Sequence, residues 1–123
     1  MLDHLPIQEI KPYADVESGL ARIRGNANLY LRMLGLVLQS EEFEKLEQAL
    51  QLSDYEAAAN VAHAIKGISG NLSLTMLFDD GTALMNELRQ GSPSEDTLAK
   101  YRDTLERTLA VVQDIVRQPD NEG

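Results

Sequence analysis

The feature that most constrains the fold of this chain is the helical spacing of its apolar residues. Several segments place apolar side chains three or four residues apart, as the buried side of an α-helix requires. No segment alternates apolar and polar residues with β-branched enrichment. Short turns separate the helical segments, and helices joined by short turns pack as antiparallel neighbours. The chain is therefore predicted to be all-α, an antiparallel up-down four-helix bundle with a short additional N-terminal helix.

Capping residues give the predicted helix boundaries. A short helix begins after Asp15, and Asn26 opens a long helix in which the apolar spacing drifts near Ser40, so a break is allowed there. Capping boxes are predicted at residues 53–56 and 92–95, with the first serine of each as the cap. Ser73 is expected to cap the helix that follows the tight turn at residues 71–73.

Composition limits the class of protein. The chain has 123 residues, no cysteine and a formal net charge of −9. A length of this size fits one domain, and the absence of cysteine is compatible with the cytoplasm, where we expect the protein to act. The negative charge disfavours nucleic acid and anionic membranes as partners, and no apolar run approaches the roughly 20 residues that span a bilayer.

We expect residues 1–14 to be an N-terminal extension or linker, residues 15–118 to form the bundle and residues 119–123 to be a frayed tail.

The stretch from Ala57 to Phe78 differs from the rest of this acidic chain. It contains one histidine, His63, one permanent cation, Lys66, and no acid. On a helical projection the core stripe centres between positions 61 and 62, which turns His63 outward. The other residues predicted to share its outward face are Glu56, Ala59, Asn60, Gly67 and Gly70.

Small residues on this outward face predict the close approach of a partner. A glycine inside a helix costs about 0.5–1 kcal/mol relative to alanine. Neither Gly67 nor Gly70 has a packing reason on the predicted core side, so access to His63 explains them, although fraying of the helix end explains Gly70 equally well. An incidental surface histidine is the competing interpretation of His63.

The chemistry available to His63 favours the handling of an anion. A neutral imidazole is a nucleophile near pH 7, and the ammonium of Lys66, three residues along, would pair with an attached phosphoryl group. A metal site is disfavoured because the only other histidine is His4, with no partner at ligand spacing. Hydrolysis is disfavoured because no Ser-His-acid set is evident.

The run HAIKGISGNL at residues 63–72 resembles the signature of histidine-containing phosphotransfer (HPt) domains, H-x-[LI]-K-G followed by small residues. The resemblance extends over most of the chain. Residues 15–34, DVESGLARIRGNANLYLRML, are similar to the family's opening segment, in which a G-L-x-R-x-x-G-N run leads to a Tyr-Leu pair. The turn at residues 53–56 and the leucine pattern of residues 77–88 also match. Two positions depart from the family: many members have Gly in place of Ser73 and an aromatic residue in place of Val37.

The resemblance implies a phosphorelay intermediary. His63 would be the phosphoacceptor, at Nε2, exchanging a phosphoryl group with aspartates of response-regulator receiver domains, and Lys66 would assist by its charge. Mg²⁺ is expected on the partner receiver, and the chain itself is expected to bind no cofactor or metal. The other implied partner is a hybrid histidine kinase. This chain is expected to have no autonomous kinase activity and to be a monomer. The docking residues implied are Ala59, Asn60, Ala64, Gly67, Gly70 and Asn71.

Two other functions are compatible with the sequence. A phosphorylation-independent helical protein-binding module would use the same face. A metal or cofactor bundle would need inward-facing His or Glu pairs, which the predicted core stripes lack. The sequence does not distinguish a free-standing protein from the C-terminal domain of a hybrid sensor kinase.

Overall fold

Apolar residues at helical spacing place one side of each long helix in a shared core. The computed structural model describes residues 6–117, and within this range the regular elements are all α-helices, so the predicted all-α class is confirmed. None of these helices combines the length and apolarity needed to cross a bilayer. The helices are α1 (Ile7–Ile10), α2 (Val16–Arg22), α3 (Ala27–Leu38), α4 (Glu42–Gln51), α5 (Tyr55–Asn71), α6 (Thr75–Gln90) and α7 (Glu95–Val116).

The core lies between α3 and the four helices that follow it. Helix α5 packs against α4 and α6, and α7 packs against α6 and α3. The largest fully buried side chains of the core are two tyrosines, Tyr30 and Tyr101, surrounded by aliphatic residues. In the absence of tryptophan, these two rings are the largest side chains that the core removes fully from water.

The first two predicted caps are confirmed, and the long second helix is broken. The side chains of Asp15 and Asn26 accept hydrogen bonds from the backbone N–H groups three residues later, at 3.2 and 3.0 Å. The break falls between Leu38 and Glu42, where the Ser40 hydroxyl accepts a hydrogen bond from the Glu42 N–H at 3.2 Å. The drift in apolar spacing therefore marks a real boundary between α3 and α4.

Both predicted capping boxes begin too early. Asp54 caps α5 and Ser94 caps α7, each accepting a hydrogen bond from the N–H three residues later, at 3.2 and 3.1 Å. Ser53 instead has a φ of 53° and belongs to the turn that ends α4. At α5 the cap moves to the adjacent Asp54, whose carboxylate accepts a charge-assisted hydrogen bond.

The predicted cap at Ser73 is also wrong. Ser73 has a φ of 57°, and its hydroxyl donates to the Ser18 hydroxyl of α2 at 3.0 Å. Helix α6 begins after Leu74 without a side-chain cap. The Pro12 carbonyl satisfies one of its first N–H groups instead, accepting from Met76 at 3.1 Å.

The segment before α2 contacts the bundle directly. Ile10 and Ala14 are buried, at 7% and 0% exposure, and the Asp15 N–H donates to the Ser73 carbonyl at 2.9 Å. These contacts hold residues 10–15 on the connection between α5 and α6. The predicted frayed tail at residues 119–123 lies outside the described residues, as do residues 1–5.

Gly19 allows α2 to close on α3. The ring of Tyr30 lies against the backbone of Gly19, and its hydroxyl donates to the Leu72 carbonyl at 3.0 Å. Burial, with a smaller contribution from the charge of Asp15, raises the pKa of Tyr30 to about 12, so the hydroxyl keeps the proton that it donates. Tyr30 thus joins α2 and α3 to the C-terminal end of α5.

Gly19→Ala should lower the free energy of unfolding by about 1–3 kcal/mol, the range for overpacking a filled core. A Cβ at this position would lie 2.5 Å from Tyr30 Cε1, and the ring is fully buried. Urea unfolding measures the change. Gly35→Ala is the matched control, since a Cβ there meets no atom within 4 Å and should raise stability by about 0.5–1 kcal/mol. Equal gains from both substitutions would show that Gly19 is not a packing requirement.

Candidate functional site

His63 lies on the solvent side of α5, near the middle of the helix. The buried stripe of α5 runs through Ala58, Ala62, Ile65 and Ser69, and the side chain of His63 is exposed. Within residues 6–117 the imidazole has no hydrogen-bond or ion-pair partner. Both ring nitrogens are therefore available to a molecule that approaches from solvent.

The core stripe of α5 is rotated relative to its predicted position. Ser69 is fully buried, because its hydroxyl donates to the Ile65 carbonyl at 2.7 Å and needs no other partner. Its burial moves the centre of the stripe and brings the flank of Ala59 toward α6. Ala59 is only 4% exposed, so its predicted place on the outward face with His63 is wrong.

The two glycines near His63 have different roles. A Cβ at Gly67 would meet no atom within 4 Å, and this position is exposed, as access to His63 requires. A Cβ at Gly70 would lie 3.2 Å from Phe78 Cε2 on α6. Gly70 therefore has a packing reason, contrary to the prediction, while Gly67 has none.

Lys66 is held beside this face by an aromatic ring. Its Nζ lies 5.5 Å from the centroid of the Phe78 ring, within the range of a cation–π contact. Phe78 is only half-buried because its ring lies at the edge of α6 where Gly70 leaves room for it. The ammonium thus has a preferred position on the flank of the histidine face.

A shallow surface depression of about 320 Å³ surrounds the histidine. Its lining contains two cations, Lys66 and Arg22, and no acid, although the whole chain has a net charge of −9. Arg22 belongs to α2, and no role was predicted for it from the sequence. It is the arginine of the G-L-x-R-x-x-G-N run. The lining consists of Arg22, His63, Lys66, Gly67, Gly70, Asn71 and Phe78. We call this set the histidine depression.

The predicted docking residues divide into three groups. Gly67, Gly70 and Asn71 line the histidine depression with His63 and Lys66. The remaining three do not. Ala59 and Asn60 line a separate cavity of about 440 Å³ between α5 and the C-terminal end of α6, and Ala64 is exposed but lines neither cavity.

An apolar groove of about 310 Å³ adjoins the histidine depression. It lies between α3 and α5, and Asn71 lines both features. Leu36 is 62% exposed at its edge, while Val37, where many HPt domains have an aromatic residue, is 3% exposed. Leu36 extends the apolar lining of the groove to the surface, and contiguous exposed apolar area is typical of a surface that binds another protein. The groove is lined by Met33, Leu36, Val37, Ser40, Ile68, Asn71 and Leu72.

Metal-ligating side chains do not cluster in the part of the chain that the structure describes. Among residues 6–117 no group of three or more His, Cys, Asp or Glu side chains could hold a metal ion. The histidine depression itself offers a nucleophilic nitrogen with two neighbouring cations.

Comparison with known proteins identifies the family. A model of the Hpt domain family matches residues 33–115, more than half of the chain, and the match includes His63, Lys66 and Gly67. Comparisons with curated proteins and with solved structures each found no match. An exposed histidine on a helix, beside a lysine and a glycine, agrees with this assignment. The chain therefore belongs to the Hpt domain family, whose members perform histidine phosphotransfer in two-component signalling and interact with response regulators and kinases.

Proposed function

We propose that this chain is a phosphorelay intermediary. It accepts a phosphoryl group on His63 Nε2 from an aspartate of a receiver domain and donates the group to an aspartate of a receiver domain. The observation that carries the proposal is the exposed imidazole of His63, which has no partner among residues 6–117, in a depression lined by two cations and no acid. This arrangement attracts a phosphoryl dianion while leaving its nucleophile free.

The proposed transfer needs no reactant other than the two proteins and the metal ion of the receiver. The lone pair of Nε2 forms a bond to phosphorus as the bond between phosphorus and the aspartate oxygen breaks. The aspartate leaves as a carboxylate with the bonding electron pair, and the imidazole keeps its proton on Nδ1 and gains a positive charge. Mg²⁺ on the receiver would stabilise the charge on the phosphoryl oxygens. The reverse sequence donates the group.

The proposed receiver-binding surface combines the histidine depression with the apolar groove. Leu36 supplies exposed apolar area, and Gly67 leaves the approach to His63 clear. The proposed frame for this surface is an antiparallel up-down bundle of α3 with α4, α5, α6 and α7, supported by the packing of α5 against both of its chain neighbours. We propose that it acts as a monomer in the cytoplasm.

Transfer from a phosphorylated receiver tests the function. We expect the chain to gain acid-labile, base-stable phosphate when mixed with a phosphorylated receiver domain, and to lose it when an unphosphorylated receiver and Mg²⁺ are added. A panel of receivers is screened, since partners are selected by surface complementarity. A receiver that binds the chain tightly but never transfers phosphate to it would support a phosphorylation-independent binding module instead.

Lys66→Ala should slow this transfer about five- to tenfold, because the phosphoryl group loses one charge-assisted partner at a half-exposed site. The free energy of unfolding should fall by no more than about 1 kcal/mol, the scale of one exposed cation–π contact. Rapid-quench measurement of the transfer rate gives the effect. Lys45→Ala, which removes an exposed cation outside the histidine depression, should transfer at the wild-type rate. An equal rate for both variants would show that Lys66 only solubilises the flank.

A further inference from the structure

We propose that Arg22 binds the phosphoryl group carried by His63, so that the phosphoryl-binding site is built from α2 as well as α5. The inference rests on the proposed function and assigns a residue that precedes the family match at residues 33–115. Arg22 lies on the last turn of α2 and lines the histidine depression together with His63 and Lys66.

Contacts along α2 hold Arg22 in this place. The Asp15 N–H donates to the Ser73 carbonyl at 2.9 Å, and the Ser73 hydroxyl donates to Ser18 at 3.0 Å. Gly19 lies against the buried ring of Tyr30. These contacts fasten α2 to the C-terminal end of α5. Arg22 follows Ser18 by four residues, so both lie on the face of α2 that looks toward this end.

Arg22 also lines a second, smaller cavity. This cavity of about 200 Å³ is lined by Ser18 and Arg22 from α2, and by Gly70 and Phe78, which also line the histidine depression. Arg22 therefore lies between the two features, on the side of α5 where Phe78 holds Lys66. A phosphoryl group on His63 would have one cation from α5 and one from α2 near it.

The guanidinium of Arg22 is free to bind an anion. Arg102 and Arg107 of α7 pair with acids, at 2.7 and 3.0 Å. Arg22 has no carboxylate partner within the described residues, and its side chain is exposed. A guanidinium presents N–H groups in a planar fork that matches two phosphoryl oxygens, whereas the ammonium of Lys66 acts as a point charge. The two cations therefore contribute different interactions.

A small phosphodonor separates this role from receiver docking. Phosphoramidate transfers its phosphoryl group to imidazole: the new N–P bond forms as the donor P–N bond breaks and ammonia leaves. The rate constant of phosphorylation is measured for wild type, for Arg22→Ala and for Arg24→Ala. Arg24 is the matched control, because it is an exposed arginine two residues away that does not line the histidine depression.

We expect Arg22→Ala to react about fivefold more slowly than Arg24→Ala, the scale of one exposed charge-assisted interaction with the phosphoryl group. In wild type, the Nε–H resonance of Arg22 should shift on phosphorylation while that of Arg24 stays in place. This second readout does not depend on how a substitution affects folding.

Equal rates for the two variants, or an Arg22 resonance that does not respond, would overturn the role of Arg22 while leaving His63 as the acceptor. Absence of phosphate from wild type with both phosphoramidate and phosphorylated receivers would overturn the proposed function and this inference with it.

Discussion

His63→Gln is expected to abolish acid-labile phosphorylation of the chain, with transfer from a receiver falling below detection. The glutamine amide nitrogen has a delocalised lone pair and cannot form the bond to phosphorus. Because His63 is exposed and has no partner within residues 6–117, the substitution should leave the free energy of unfolding within about 0.5 kcal/mol of wild type. Loss of label is then a loss of chemistry.

His4→Gln is the matched control for this experiment. The chain has two histidines, so these two variants together cover every imidazole that could carry the group. We expect His4→Gln to accept label as wild type does. Acid-labile label that persists in His63→Gln and disappears in His4→Gln would move the acceptor to the N-terminal segment.

Gly67→Leu is expected to weaken receiver binding at least tenfold while making the domain more stable. Helix propensity favours leucine over glycine by about 0.5–1 kcal/mol, and a Cβ at position 67 meets no atom within 4 Å, so the bundle accommodates the side chain. The same side chain projects from the face around His63, where a receiver must approach closely. Calorimetric titration with a receiver gives the affinity, and urea unfolding gives the stability.

Two controls separate docking from chemistry in Gly67→Leu. Ala110→Leu adds a leucine to an exposed position of α7, and it should leave receiver affinity unchanged. Phosphoramidate should still phosphorylate Gly67→Leu, since a small donor needs little clearance. Undiminished receiver affinity in the more stable variant would contradict the explanation of Gly67 as clearance for docking.

Features that depend on nearby residues could be predicted from the sequence. The caps at Asp15 and Asn26 and the break near Ser40 follow from side chains and spacing within one turn of chain. The outward position of His63 follows from the apolar stripe of its own helix, which is why the centre of the candidate site is predictable. The phosphoryl chemistry came from the family resemblance, and the family match supports it.

Features that depend on tertiary packing could not be predicted in this way. Ser69 is counted as polar in any apolar pattern, yet its bond to the Ile65 carbonyl lets it occupy the core and turn Ala59 toward α6. The packing reason for Gly70 is Phe78 of another helix. Arg22 is 41 residues from His63, and only the docking of α2 on the end of α5 brings the two to one depression.

The role of His63 as phosphoacceptor is tested by finding which atom of the phosphorylated chain carries the phosphoryl group. Wild type is phosphorylated by a receiver and kept at alkaline pH, and the attachment is assigned from ³¹P and ¹⁵N NMR couplings to the imidazole. We expect a single phosphoramidate resonance coupled to Nε2 of His63, absent in His63→Gln. A phosphoryl group on His4, or an acyl phosphate on an aspartate of this chain, would contradict it.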